Sequence, residues 1–477
     1  MADNESITIN TDLQQLITTE QAWHYGIVPK SNGGSNIAFY IDDTKNSKSI
    51  KDELEMLLGK NIQLELTNSE IITKTLGKYY RKGKKQESGK NATLVNYKSD
   101  DFLLNIITEA NSLGSSDIHI ETYEEICRVR FRIDGKLIER YILKKEDYPS
   151  LVNKVKIKSN LDIAEKRLPQ DGRIFFTSGS DKFDIRVSVL PTLHGEKIVL
   201  RLLSKDATSI DINVLGFSEK QLEDYLEGIK KPHGIILISG PTGSGKTTTL
   251  YATLKILNCE STNILTVEDP IEYTLDGINQ VQLKESIGLT FSSALRTFLR
   301  QDPDIIMLGE IRDGETAQMA IRAALTVHLV LSTIHTNSAW GTISRLVDMG
   351  VQPFLVANTL NLSVAQRLVR LLCPNCKVKQ EFNTKLYPKN YKAPQAITVH
   401  YVAKGCDECF YTGFKGRKAV YEVIPIDYEL SENIKNMQYD IINILQNKGI
   451  GNLAGSAFEL FAKGVTTIEE IYPILIN

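Results

Sequence analysis

The sequence predicts an α/β chain of several domains built around a largely parallel sheet, and two observations carry that expectation. Short, nearly all-apolar runs (Gly234 to Ile238, Ile264 to Val267, Ile305 to Leu308, Leu329 to Ser332) alternate with helical stretches, which is how strands buried on both faces read. The length of 477 residues exceeds what one hydrophobic core organises and implies about three or four domains.

Composition narrows the function classes. The 56 basic and 58 acidic residues nearly cancel, leaving a net charge of −2, so the chain lacks the positive field of a nucleic-acid or anionic-membrane binder. No basic segment leads into an apolar stretch near Met1, and no run of 18 or more apolar residues follows; a cytoplasmic protein is expected. Four of the six cysteines form two close pairs, which outside an oxidising compartment favours a metal site. Cys127 and Cys259 stand alone and read as packing residues.

Along the chain, residues 1–73 form a small α/β module, with a helix over Ser49 to Leu58 on which Ile50, Leu54, Leu57 and Leu58 recur at helical spacing. Residues 74–98 hold Lys74, Lys78, Arg81, Lys82, Lys84, Lys85 and Lys90 among Gly, Ser and Asn, and read as a basic, solvated linker. A second α/β domain spans 99–205: a helix through Phe102, Ile106 and Ala110, then alternating strands at Cys127 to Phe131, Phe183 to Val189 and Ile198 to Leu203, with Asp134-Gly135 as a hairpin turn. The parallel-sheet domain covers 206–370, a four-cysteine segment 371–425, and a helical segment 426–477.

Chemistry concentrates where the apolar strands end, the edge at which parallel sheets bind ligands. Gly240-Pro241-Thr242-Gly243-Ser244-Gly245-Lys246-Thr247 has the phosphate-loop spacing between a buried strand and a helix. Its backbone amides, continued through Thr248, converge on phosphates at the helix's positive end. Lys246 is placed to reach the β- and γ-phosphates of ATP, and Thr247 to ligate Mg2+. The next strand ends in Thr266-Val267-Glu268-Asp269-Pro270-Ile271-Glu272, and another in Leu308-Gly309-Glu310-Ile311-Arg312-Asp313. Glu268 and Glu310 are the candidates for activating water and for holding the magnesium shell. Spacing leaves the assignment open, with Glu268 favoured as base because Glu310 closes an apolar strand where metal-binding acids normally sit. His328 and His335 bracket the last strand as candidate γ-phosphate sensors. Arg296 and Arg300 lie one helical turn apart and serve either transition-state charge or surface ion pairs. Cys373-Pro374-Asn375-Cys376 and Cys406-Asp407-Glu408-Cys409, with 29 residues between the pairs, have the pattern of a closed, structural Zn2+ site.

Taken together these segments resemble the type II secretion and type IV pilus assembly ATPases of the secretion ATPase superfamily. The likeness runs over 99–425. It includes Ser116 to Glu121, Arg130 to Gly135, Leu168 to Arg173, the phosphate loop, an Asp box at Thr266 to Tyr273, a Walker B segment within Arg300 to Asp313, a His box at Leu331 to Asn337, and the cysteine tetrad with Thr412 to Arg417. The resemblance implies a RecA-like P-loop core preceded by a PAS-like domain, and a homohexamer in which Arg186 and Arg201 of one subunit approach nucleotide held by the next. It also implies an inner-membrane platform protein and a cytoplasmic adaptor as partners, the adaptor docking on residues 1–73, with only indirect membrane association. The tetrad points to the assembly branch rather than to retraction motors. Val327 stands where the family usually has glycine, and no Arg-Leu-Gly motif of cyclic-dinucleotide binders occurs near the start. The alternative of a nucleic-acid translocating or helicase-like ATPase shares the core sheet, but balanced charge and the lack of interleaved aromatic and basic residues count against it.

Overall fold

The computed structural model describes residues 6–9, 11–14, 16–33, 36–45, 47–80, 99–178, 181–203, 211–389, 391–438 and 440–476. The chain divides into two compact units: Met1–Ser204 with Cys373–Lys377 and Ala403–Lys415, and Lys205–Leu372 with Val378–Val402 and Gly416–Asn477.

In the first unit, β1 (Ile27–Asn32), β2 (Asn36–Asp42) and β3 (Asn61–Thr67) form one sheet, with β2 antiparallel to β1 and parallel to β3. A parallel pair needs a crossover, supplied here by the helix Ser47–Leu58; Phe39, Ile41, Leu54 and Ile62 close the core beneath it. The next helix, Ser69–Tyr79, is capped by Asn68 and carries Lys74 and Lys78, so the linker begins later than residue 74. Ile72, Leu76 and Tyr79 share one buried face of this helix, and that apolar stripe prevails over the charges between them. The remainder of the basic linker, 81–98, lies outside the described residues.

Six further strands of this unit are β4 (Asp117–Thr122), β5 (Cys127–Ile133), β6 (Lys136–Leu143), β7 (Gln170–Ser178), β8 (Asp181–Thr192) and β9 (Gly195–Leu203). They form an antiparallel sheet in the order β6-β5-β4-β9-β8-β7. Asp134 and Gly135 adopt φ of 49° and 84°, the left-handed pair that a two-residue hairpin turn requires. One face buries Val129, Phe131, Ile185, Val187 and Cys127 with residues of the helices Ser99–Ser112 and Tyr148–Lys158.

The second unit is built on β10 (Gly234–Ser239), β11 (Ile264–Glu268), β12 (Asn279–Gln282), β13 (Ile305–Leu308), β14 (Leu329–Ile334), β15 (Leu360–Leu372) and β18 (Phe414–Pro425), in the order β12-β11-β13-β14-β10-β15-β18; β16 (Val378–Glu381) and β17 (Val399–Val402) make a separate hairpin. The first six run parallel. Ile235 and Leu237 of β10 join one apolar cluster and Ile236 and Ile238 the other; Ile306 and Leu308 of β13 divide from Ile305 and Met307 in the same way. That two-sided burial produces the unbroken apolar runs of the sequence.

The boundaries at 370/371 and 425/426 do not separate domains. β15 runs across the first and β18 ends at the second, and both belong to the central sheet. The cysteine segment is therefore an excursion between two sheet strands. Leu430, Phe458, Phe461 and Ile471 of the final helices lie in the same cluster as Leu237 and Ile306, so 426–477 covers a face of the sheet. Cys259 is exposed rather than a packing residue. Among the described residues no helix is long and apolar enough to cross a membrane.

Leu295, fully buried on the helix Phe291–Phe298, tests this core. Leu295→Ala is expected to cost about 2–5 kcal/mol, seen as a lowered urea midpoint for the second unit, while Ile287→Ala at a position 75% exposed is expected to change it by less than about 0.5 kcal/mol.

Candidate active site

The loop Gly240–Thr247 leaves the carboxyl end of β10 and enters the helix Lys246–Leu257. Gly240, Gly243 and Gly245 have φ of 149°, 80° and 88°. A Cβ at Gly240 would lie 2.5 Å from the Gln366 carbonyl oxygen, and one at Gly245 2.9 Å from the Gln366 amide nitrogen, whereas one at Gly243 would meet nothing within 4 Å. Gly243 thus answers a backbone demand beside open space, as a cradle for a ligand would. The Ser244 hydroxyl is buried without a partner, a donor available to an oxyanion. Thr247 is exposed and Thr248 half-buried at the start of the helix, so the Thr247 side chain is open to solvent beside the loop. Lys246 Nζ donates to the carbonyls of Gly240 (2.8 Å) and Pro241 (3.1 Å). Burial pushes its ammonium pKa down, Glu310 pulls it up, and Arg367 adds to the lowering.

Glu268 closes β11 and is 3% exposed. Its Oε1 accepts from Thr266 Oγ1 (2.6 Å) and Gln280 Nε2 (3.1 Å), and its Oε2 accepts from the Tyr251 phenol. Glu310, two residues beyond β13, pairs instead with charge: Arg312, and His335 Nε2 at 3.4 Å from Oε2. Arg312 also reaches Asp269 at 3.8 Å, joining the two acidic loops. Burial would raise the Glu310 pKa, but hydrogen bonding and charge from Arg312, then His335, hold it below the usual carboxylate range. The parallel register explains the gathering. Phosphate loop, Glu268, Glu310 and His335 each follow the carboxyl end of a parallel strand, so all of them emerge at one edge.

Two expectations change. His328 precedes Leu329, the residue opposite Gly234 at the start of β10, so it lies at the amino edge of the sheet, away from the phosphate loop; its Nδ1 contacts Thr326 Oγ1 (2.7 Å) and the Ala323 carbonyl (3.1 Å). Strand direction excludes it as a γ-phosphate sensor. Arg296 forms an exposed pair with Glu315 at 3.2 Å and Arg300 donates to the Arg296 carbonyl, which favours the surface ion-pair reading.

Sequence reasoning missed Gln366 and Arg367, because β15 offered no loop signal. Gln366 Nε2 donates to the Ser244 carbonyl (2.9 Å) and its Oε1 accepts from Thr249 Oγ1 (2.9 Å). Arg367 donates to the carbonyls of Gln366 (3.0 Å) and Asn337 (2.9 Å), tying β15 to the segment after His335. In the first unit, Arg186 and Arg201 are direct cross-strand neighbours, and Arg173 lies opposite Arg186. Arg201 donates to Asp117 Oδ1 at 3.0 Å. Three arginines thus share one row of the sheet with Asp117, which lies opposite Arg201, and Arg173 is the last residue of the Leu168 to Arg173 motif.

The cysteine pairs converge. Sγ separations are 3.8 Å for Cys373–Cys406, 3.7 Å for Cys376–Cys409 and 3.8 Å for Cys406–Cys409, and all four sulfurs lie within 4.8 Å of one another. Ligands at about 2.3 Å around a tetrahedral ion stand roughly 3.8 Å apart, so the residues fit one metal ion. Backbone amides of Gly405, Cys406 and Gly413 point at Cys376 or Cys409 sulfur at 3.2–3.3 Å, as thiolate ligands require.

Glu310 gives a pH test. Its folded pKa lies below the ordinary 4.5, so its ion pairs stabilise the fold above that pH and lose their contribution as pH falls through the lower folded value. Urea midpoints should show Glu310→Gln less stable than the parent at pH 7, with the gap narrowing below about pH 4.5.

Comparison with known proteins agrees with this geometry. The family model described as "Type II/IV secretion system protein" matches residues 98–473. The type IV pilus assembly ATPase PilB of Myxococcus xanthus (strain DK1622) is 42% identical, over 97% of this chain and 86% of the relative. Type II secretion system protein E of Pseudomonas aeruginosa is 48% identical over 77% of this chain and 73% of the relative. Among solved structures, the pilus retraction motor PilT with bound ADP superposes with a TM-score of 0.54 at 27% identity, covering 78% of this chain and 96% of that one. The ATPase DotB of Legionella pneumophila shares the fold at a TM-score of 0.58 and 22% identity, covering 79% of this chain and 95% of that one. With the phosphate loop, the paired acids and the cysteine cluster in place, a match of this extent makes the chain a member of the type II/IV secretion system protein family.

Proposed function

We propose that this chain is an ATP-hydrolysing hexameric motor that drives assembly of a type II secretion pseudopilus or a type IV pilus. The observation that carries the reading is the single sheet edge on which a phosphate loop, two differently partnered glutamates and a histidine meet. In this reading the second unit is a RecA-like core, and residues 99–205 are a PAS-like domain.

Gly240 to Thr248 cradle the triphosphate through backbone amides, with Ser244 Oγ as an added donor and Lys246 on the β- and γ-phosphates. Thr247 and Glu310 hold Mg2+, which when bound neutralises phosphate charge. Glu268 accepts a proton from the attacking water, the water oxygen bonds to the γ-phosphorus, and the bond to the β,γ-bridging oxygen breaks to leave ADP and phosphate. His335 reads the γ-phosphate through its contact with Glu310. Arg186 and Arg201 supply positive charge to nucleotide on a neighbouring subunit. A Zn2+ ion in the cysteine tetrad has no open position and is structural. The motor works at the cytoplasmic face of the inner membrane, held by a platform protein and by an adaptor docked on residues 1–73.

Three assays test this. Phosphate release by the purified chain with Mg2+ and ATP is expected to rise with assembly to a hexamer and to fall at least about 100-fold in Lys246→Ala and Glu268→Gln; turnover unaffected by either substitution rejects the mechanism. Glu268→Gln should still bind ATP in the presence of Mg2+, while Glu310→Gln should weaken the dependence of binding on Mg2+. Elemental analysis should find about one zinc per chain, reduced in Cys406→Ser, which should also unfold at lower temperature.

A further inference from the structure

Glu268 is the most enclosed acid at the sheet edge, and two of the three donors around it, Tyr251 and Gln280, have their direction fixed by another bond. The Tyr251 oxygen accepts from the Glu272 backbone N–H at 3.4 Å, so the phenol proton is left to point at Glu268 Oε2. Gln280 Oε1 accepts from the Leu275 N–H at 2.7 Å, which orients the amide so that its nitrogen donates to Glu268 Oε1 and to the Tyr273 carbonyl. Thr266 Oγ1 completes the set on Oε1. A carboxylate offers about four lone-pair sites, so two donors on Oε1 and one on Oε2 leave a single acceptor direction, on Oε2.

Nothing in turnover itself requires a tyrosine within the helix that follows the phosphate loop. Tyr251 is fully buried and set edge-on to Tyr273 at 4.5 Å between ring centroids. A phenylalanine there would keep that contact and lose the bond to Oε2 together with the long one from the Glu272 N–H.

We infer that Tyr251 and Gln280 are positioning residues that clamp the Glu268 carboxylate so that one lone pair of Oε2 alone faces the attacking water. The helix carrying Lys246 also carries Tyr251, so the clamp ties the base to the element that holds the phosphates. This deepens the assignment of Glu268 as the base and rests on it. What the clamp adds is aim, and a misplacement of about 1 Å in such a group costs on the order of 100-fold in rate.

The test is Tyr251→Phe and, separately, Gln280→Met in the full chain with Mg2+ and ATP, measured as kcat, KM and thermal midpoint. Each is expected to lower kcat about tenfold with KM for ATP changed by less than about twofold, as befits loss of alignment in the transition state alone. Single-turnover hydrolysis of labelled ATP in a Glu268→Gln background should then show no further fall on adding Tyr251→Phe, because the clamp has lost its object. Unchanged kcat in both single variants beside an inactive Glu268→Gln overturns the clamp and spares the base. An equal fall in the parent and in Glu268→Gln, or a KM rise that matches the loss, overturns it in favour of a structural role. A fully active Glu268→Gln removes the base assignment itself.

Discussion

The central sheet is covered on both faces, and this burial constrains everything else in the second unit. Its inner strands β10, β11, β13 and β14 alternate their apolar side chains between two clusters, which leaves no solvated face along their length for a charged group. In these four strands charge appears only where the strand stops. Because the strands run parallel, their carboxyl ends stop on the same side, and the phosphate loop, Glu268, Glu310 and His335 are collected there without any of them being near another in sequence.

The two glutamates at that edge show how environment separates chemically identical groups. Glu268 is surrounded by uncharged donors, and second bonds fix the direction of two of them, Tyr251 and Gln280. Glu310 sits among Arg312, His335 and the field of Lys246. A carboxylate held by neutral donors keeps a defined geometry and a free lone pair, whereas one among cations shares its charge with them. The division matches the proposed roles, in which one acid takes the attacking water and the other the metal ion.

The cysteine segment and the final helices show a related economy. The four-sulfur cluster lies between two strands of the same sheet, so metal binding there would pin the excursion that joins β15 to β18. Phe382, just after β16, and His400 of β17 meet Phe461 of the helix Leu453–Ala462 at 5.4 and 6.2 Å between ring centroids. Aromatic contacts thus hold the β16–β17 hairpin against the final helices.

Much of this was legible in the residues alone. Apolar runs fix strand identity, glycine spacing fixes the phosphate loop, and paired cysteines fix a tetrad, because each depends on local backbone demands or ligand number that sequence states directly. Strand direction, register and the far course of the chain are not local quantities. They decided that His328 lies at the wrong edge and His335 at the right one, that β15 and β18 extend the sheet across expected boundaries, and that Lys74 and Lys78 ride on a helix. They also brought Tyr251, Gln280, Gln366 and Arg367, which carry no motif, against the groups that do. Side chains distant in sequence meet only when the sheet has chosen its order, and that choice follows from the burial of both faces together.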